Sequence, residues 1–94
     1  MSLEVLSEVY RVIEDRRHRP KPGSYVSSLL KGGVDKVLGK VKEEAQELVK
    51  AARGGERQEI VHEAADLVFH TWVLLVFKGI KLEELLQELR RRRR

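Results

Sequence analysis

The chain has 94 residues, 19 of them basic and 15 acidic, and no cysteine. That length allows one domain with a thin core, and the lack of cysteine excludes a disulfide framework and thiolate metal sites while fitting a reducing cytoplasm. The net charge of +4 owes much to five consecutive arginines at 90–94, so the basic balance does not by itself point to nucleic acid.

Met1-Ser2-Leu3-Glu4 lacks the basic start and apolar run of a signal peptide. Leu3, Leu6, Val9, Tyr10 and Ile13 recur at helical spacing and predict a first helix ending near Arg16 or Arg17. The basic stretch at 16–23 contains Pro20, Pro22 and Gly23 and reads as a loop, either a solvated connector or a clamp for phosphates. Ser24 suits the N-cap of a short helix through Leu30, which Gly32-Gly33 should end. A third helix is expected at 34–53, with an apolar stripe of Val34, Val37, Leu38, Val41, Ala45, Leu48 and Ala52. At about 100° per residue, Glu44 lies on the shoulder of that stripe and Glu47 farther round. Glu43 points nearly opposite the stripe, and Lys40 shares the flank of Glu44 and Glu47.

Gly54-Gly55 signals a stop and turn. A fourth helix should follow at 56–78, free of Gly and Pro. Ile60, Ala64, Val68, Thr71 and Leu75 form one face, and Glu59, Glu63, Asp66 and His70 form a polar line beside it. Beyond Asp66 the pattern is apolar nearly all round, which predicts burial on most sides. The expectation is a homodimer whose interface uses Phe69, Trp72, Val73 and Val76. The apolar run at 67–77 is interrupted by His70 and Thr71 and is too short to span a bilayer. After Gly79, the residues Leu82, Leu85, Leu86 and Leu89 predict a last short helix fraying into the arginines. That run is read as a solvated tail rather than an RNA-binding element. The fold expected is all-α: about five helices in a single domain over 1–94, built on an antiparallel hairpin and completed by homodimerisation.

The chemistry concentrates in the predicted hairpin. Glu44 with Glu47, and Glu63 with Asp66, are carboxylates three residues apart and so neighbours on one helix face. Four anions gathered together repel by roughly 4 kcal/mol per close pair even with substantial screening. Such a cluster calls for a cation, and carboxylate oxygens favour a hard one such as Mg²⁺. Asp66 sits among Ala64, Ala65, Leu67 and Val68, where an unpaired charge is costly. His62-Glu63-Ala64-Ala65-Asp66 has Asp66 in place of the second histidine of the zinc motif H-E-x-x-H, so a zinc protease is set aside. The E-x-x-H spacing of Glu59 and His62 occurs once and does not make a di-iron pair. His70 reads as a core-edge histidine, one turn from Asp66, with a role as orienter or phosphate donor open. Ser24, Ser27 and Ser28 have no evident His and Asp partners for nucleophilic catalysis.

The series S-Y-V-S-S-L-L-K-G-G-V-D-K-V-L-G-K-V-K-E-E-A-Q-E, followed by E-A-A-D-L-V-F-H-T-W-V-L-L, resembles phosphoribosyl-ATP pyrophosphatases. These belong to the all-α nucleotide pyrophosphohydrolases of the MazG type, with the signature E-E-x-x-E then E-x-x-D. Lys42 departs from a frequent glycine, His62 and Phe69 from frequent tyrosines and Val26 from a frequent threonine; none of these removes a carboxylate. The resemblance implies Mg²⁺-dependent hydrolysis of phosphoribosyl-ATP to phosphoribosyl-AMP and pyrophosphate in histidine biosynthesis, by a stand-alone cytoplasmic enzyme. On this reading Glu44, Glu47, Glu63 and Asp66 hold the metal, and Glu43 is a spare carboxylate that completes the metal shell or acts as base. Arg17, Lys31, Lys36 and Lys40 are the candidates for phosphate contacts, with Ser24 and Tyr25 near the ribose or base. The alternatives are a house-cleaning pyrophosphohydrolase of noncanonical (d)NTPs and a non-catalytic helical dimerisation module with a basic RNA-binding tail.

Overall fold

The computed structural model describes residues 2–93. It contains α1 (Glu4–His18), α2 (Tyr25–Lys31), α3 (Val34–Gly54), α4 (Arg57–Phe77) and α5 (Leu82–Arg92), with no strand among the described residues. The expected all-α architecture of five helices is present.

Local chemistry sets the helix ends. Ser24 caps α2 as expected, its hydroxyl accepting from the backbone N–H of Ser27 at 3.2 Å. Gly33 opens α3 at φ 92° and Gly55 closes it at φ 81°, in a region that side chains with a Cβ rarely enter. The Gly55 N–H returns to the Ala51 carbonyl at 3.1 Å, satisfying one of the free acceptors at the helix end. Only Gly55 and Glu56 separate α3 from α4, so the two helices fold back as an antiparallel hairpin. This pair makes the most extensive contact in the molecule, and α1 lies against α4.

The core gathers Tyr10 and Ile13 of α1, Val26 and Leu29 of α2, Val37 of α3, Trp72, Val73 and Val76 of α4, and Leu82 at the start of α5. Long-range hydrogen bonds fasten it, two of them from side chains of the core itself. The Trp72 indole N–H donates to the Leu6 carbonyl at 2.9 Å, and the Tyr10 hydroxyl donates to the Ile80 carbonyl at 2.6 Å.

Two expectations fail here. Val73 is 0% exposed, and Trp72 and Val76 are buried too, all within a single chain. They cannot form a dimer interface, because α1, α2 and the start of α5 already cover the apolar half of α4; Phe69 is half-buried against the same cluster. The last helix also does not fray at the arginines but runs through Arg92. Glu88 pairs with Arg91 at 2.6 Å and Arg92 at 3.1 Å, and cations suit a helix C-terminus. Arg94, the last residue of the expected tail, lies outside the described residues.

As a whole, α4 has the length and mean hydropathy of a bilayer span, which the run at 67–77 taken alone did not suggest. In the fold its apolar half supplies the core.

Replacing Ile13, 1% exposed, by alanine should destabilise the protein by about 2–5 kcal/mol. Val12→Ala, at an exposed neighbour, should stay within about 0.5 kcal/mol. Urea unfolding of both variants measures the contrast, and equal effects would contradict the core assigned here.

Candidate active site

Burial on α3 does not follow its apolar stripe. The three buried residues are Val37, Glu44 and Ala51, each seven apart, so the helix turns this line toward α4. Glu44 is therefore not on a shoulder but in the middle of the seam, 8% exposed, while Leu38 and Ala52 of the expected stripe are exposed. Rotating about 100° per residue from the seam, Lys40, Glu43 and Glu47 fall to one side of α3, and Leu38, Ala45 and Val49 to the other. On α4, Glu63, Asp66 and His70 fall to one side, and Val61, Ala65 and Val68 to the other. Because the helices run antiparallel, the two polar flanks share one face of the hairpin and the two apolar flanks share the opposite face.

The polar face is a carboxylate cluster. His62, Glu63 and Asp66 each offer a donor atom within 4.8 Å of the others. The His62 Nε2 lies 3.3 Å from Asp66 Oδ2, one helical turn away. Loss of hydration pushes the Glu63 carboxyl above its ordinary value. His62 pulls it back, and the negative charges of Asp66, Glu44 and Glu47 add to the rise. Glu44 and Glu47 stand outside the close group, across the hairpin, yet near enough for their charge to be felt. An oxygen-rich donor set of this kind fits a hard divalent cation such as Mg²⁺. The polar line expected from sequence, Glu59, Glu63, Asp66 and His70, did not include His62; its i,i+4 spacing from Asp66 was the available signal.

Lys40 is the cation that the chain itself supplies. Its ammonium pairs with Glu43 and lies 3.5 Å from Glu44 Oε1. The hydrogen bond to Glu43 is the main reason that Lys40 is held above the usual lysine range, and it holds the Glu43 carboxyl below its own.

Tyr25 and His70 complete the face. His70 is 5% exposed, and both of its ring nitrogens are engaged. Nδ1 lies 2.8 Å from the Asp66 carbonyl and Nε2 lies 2.7 Å from the Tyr25 hydroxyl. A carbonyl only accepts, so Nδ1 carries the proton; in the neutral ring Nε2 then accepts from the Tyr25 O–H. Both ring nitrogens of His70 are thus engaged within the chain, and the bond to Nε2 positions Tyr25. Burial raises the Tyr25 hydroxyl above its ordinary value, and the Lys40 charge beside it acts in the opposite direction.

The remaining predicted contacts lie elsewhere. Arg17 and Lys31, with Ser24, line a separate cavity of about 740 Å³ among α1, α2 and the end of α4. Arg17 Nη1 donates to the Val76 carbonyl at 2.7 Å, and the Ser24 hydroxyl is engaged as the α2 cap. The Lys36 stem lies over Gly32, where it would meet an added Cβ. The structure therefore brings Tyr25, Lys40 and His70 to the carboxylates and leaves Arg17, Ser24 and Lys31 apart.

Tyr25→Phe would leave the buried His70 Nε2 without its donor. The expected loss is about 1–3 kcal/mol of stability, read by urea unfolding. Unchanged stability would show that the Tyr25–His70 bond does not hold the site together.

Comparison with known proteins supplies an independent line. Residues 6–93 match the family described as phosphoribosyl-ATP pyrophosphohydrolase. The chain is 53% identical over 89 residues to the phosphoribosyl-ATP pyrophosphatase of Geobacter metallireducens, covering 95% of this chain and 82% of that one. Against the phosphoribosyl-ATP pyrophosphatase of Methanocella arvoryzae it is 52% identical over 93 residues, covering 97% and 98% of the two chains. It also matches a histidine biosynthesis bifunctional protein of Thermoanaerobacter pseudethanolicus, at 47% identity, over 90% of this chain and 39% of that protein.

Proposed function

The chain belongs to the phosphoribosyl-ATP pyrophosphohydrolase family, and from that membership we propose that it hydrolyses phosphoribosyl-ATP in histidine biosynthesis. Water cleaves the bond between the α- and β-phosphates, and the products are phosphoribosyl-AMP and pyrophosphate. The observation that carries the reading is the convergence of carboxylates from both arms of the hairpin on one face, in a chain that matches the family from residue 6 to residue 93.

Glu44, Glu47, Glu63 and Asp66 would hold Mg²⁺, with His62 beside Asp66. When bound, such an ion draws charge from the phosphorus and lowers the pKa of an attacking water. The chain's own residues do the rest. Glu44, fixed in the seam, sets the position of the site on the hairpin. Glu43 is exposed and bound to Lys40, so its role is to hold that ammonium at the rim rather than to act as base. Tyr25, oriented by His70, presents its hydroxyl to the face where substrate would lie. Phosphoryl transfer depends chiefly on such positioning and charge neutralisation. A cytoplasmic setting accompanies this reading.

Homodimerisation is part of the proposal, through a surface other than the one first expected. Val61 is 63% and Val68 41% exposed, and with Leu38 and Val49 they stand uncovered on the apolar face of the hairpin. Association of two copies through that face would bury these side chains, leaving the acidic faces directed outward.

Glu44→Gln and Asp66→Asn should each lower Mg²⁺-dependent pyrophosphate release from phosphoribosyl-ATP on the order of 100-fold or more, with helix content unchanged by circular dichroism. Near-normal turnover at limiting Mg²⁺ would remove that residue from the metal site. The double variant Val61→Glu, Val68→Glu should be monomeric by light scattering where the unaltered protein is dimeric. A dimer of undiminished stability in the variant would place the interface elsewhere.

A further inference from the structure

Lys40 is an unusual presence in a cluster proposed to hold a divalent cation. It stands on the same face of α3 as Glu43, Glu44 and Glu47, and its ammonium lies between the carboxylates of Glu43 and Glu44. Glu44 is buried in the hairpin seam, where an uncompensated charge costs several kcal/mol. Without a metal the folded chain needs a cation at that point, and among the described residues Lys40 is the one paired with Glu44. A divalent ion on Glu44 would need the same oxygens and would repel the ammonium. The pair with Glu43 would hold Lys40 when Glu44 is taken. The Tyr25 hydroxyl is near enough for the two groups to act on each other's protonation. Because its proton is directed to His70 Nε2, its oxygen lone pairs are free to accept.

We propose that Lys40 is an exchangeable counter-ion, neutralising Glu44 in the metal-free protein and released from it when a divalent cation enters. Released, the ammonium remains tethered by Glu43 and the Tyr25 oxygen at the rim of the site. There it is placed to meet an anionic oxygen of a polyphosphate brought in with the metal. The fold therefore tolerates an empty acidic site, and the metal and the substrate-facing cation are exchanged in one event. The inference rests on the metal reading of the same cluster given above.

Two measurements test it without reference to turnover. The first is Mg²⁺ binding by calorimetry in the absence of substrate. Lys40→Met should bind Mg²⁺ at least about tenfold more tightly than the unaltered protein, a difference of about 1.4 kcal/mol. Lys42→Met, which removes the same charge from an exposed site on the same helix, should change the affinity less than about twofold. Equal effects of the two variants would reduce Lys40 to general charge and overturn the proposal. The second is the ¹H–¹³C spectrum of lysine-labelled protein. The Lys40 side-chain signal should stand apart from those of exposed lysines such as Lys42 and Lys50 without metal, and should shift on titration with Mg²⁺ alone. A Lys40 signal that does not respond while Mg²⁺ binds would overturn the exchange and leave the metal site intact. If neither the unaltered protein nor Lys40→Met binds Mg²⁺, the metal reading and this inference both fall.

Discussion

A carboxylate in the seam between two helices is the constraint on which the structure turns. Glu44 occupies the position that Val37 and Ala51 occupy one heptad to either side, so the α3–α4 hairpin closes around a charge. Removing a charge from water without a partner is among the most costly things a small core can do. The chain offsets it with Lys40 on the same helix. An apolar residue at position 44 would pack as well and ask for no partner. A charge kept in so thin a core is therefore explained by chemistry at the site more readily than by stability.

The same seam gives the hairpin two unlike faces. Residues that flank it in one direction are Lys40, Glu43, Glu47, Glu63, Asp66 and His70; those in the other are Leu38, Val49, Val61 and Val68. Antiparallel pairing places each set on its own side, so the acidic surface and the exposed apolar surface follow from one crossing of two helices. The elements outside the hairpin act from its far end. Helix α1 and the start of α5 bury Trp72, Val73 and Val76, while α2 delivers Tyr25 to His70. This fixes the apolar half of α4, and of these elements α2 also reaches the polar face, through Tyr25.

Helix positions were legible in the amino-acid sequence because their determinants are local. The Ser24 cap, the positive φ of Gly33 and Gly55, and the absence of Gly and Pro from α4 each act over a few residues. The carboxylates were legible by spacing, and the resemblance and the comparisons agree on the family. What was not legible depended on which neighbour covers which face. An apolar stripe drawn by residue type put Glu44 on the shoulder, because spacing alone cannot show that α4 packs along the line of Val37, Glu44 and Ala51. The apolar run after Asp66 suggested a dimer seam, since sequence does not reveal that Ile13 and Tyr10 arrive from α1 to cover it. Nor does sequence reveal that Arg17 and Ser24, expected as substrate contacts, also bond within the fold and line a cavity apart from the carboxylates.

The central claim is that the acidic face of this hairpin holds a divalent cation. Crystals grown with Mn²⁺ in place of Mg²⁺ test it most directly, because the ion can be located by its anomalous scattering. The account predicts a peak on that face, about 2.1 Å from oxygens contributed by both α3 and α4, Glu44 and Asp66 among them. An ion bound only at other residues, with the carboxylates of both helices left uncoordinated at saturating Mn²⁺, would contradict it.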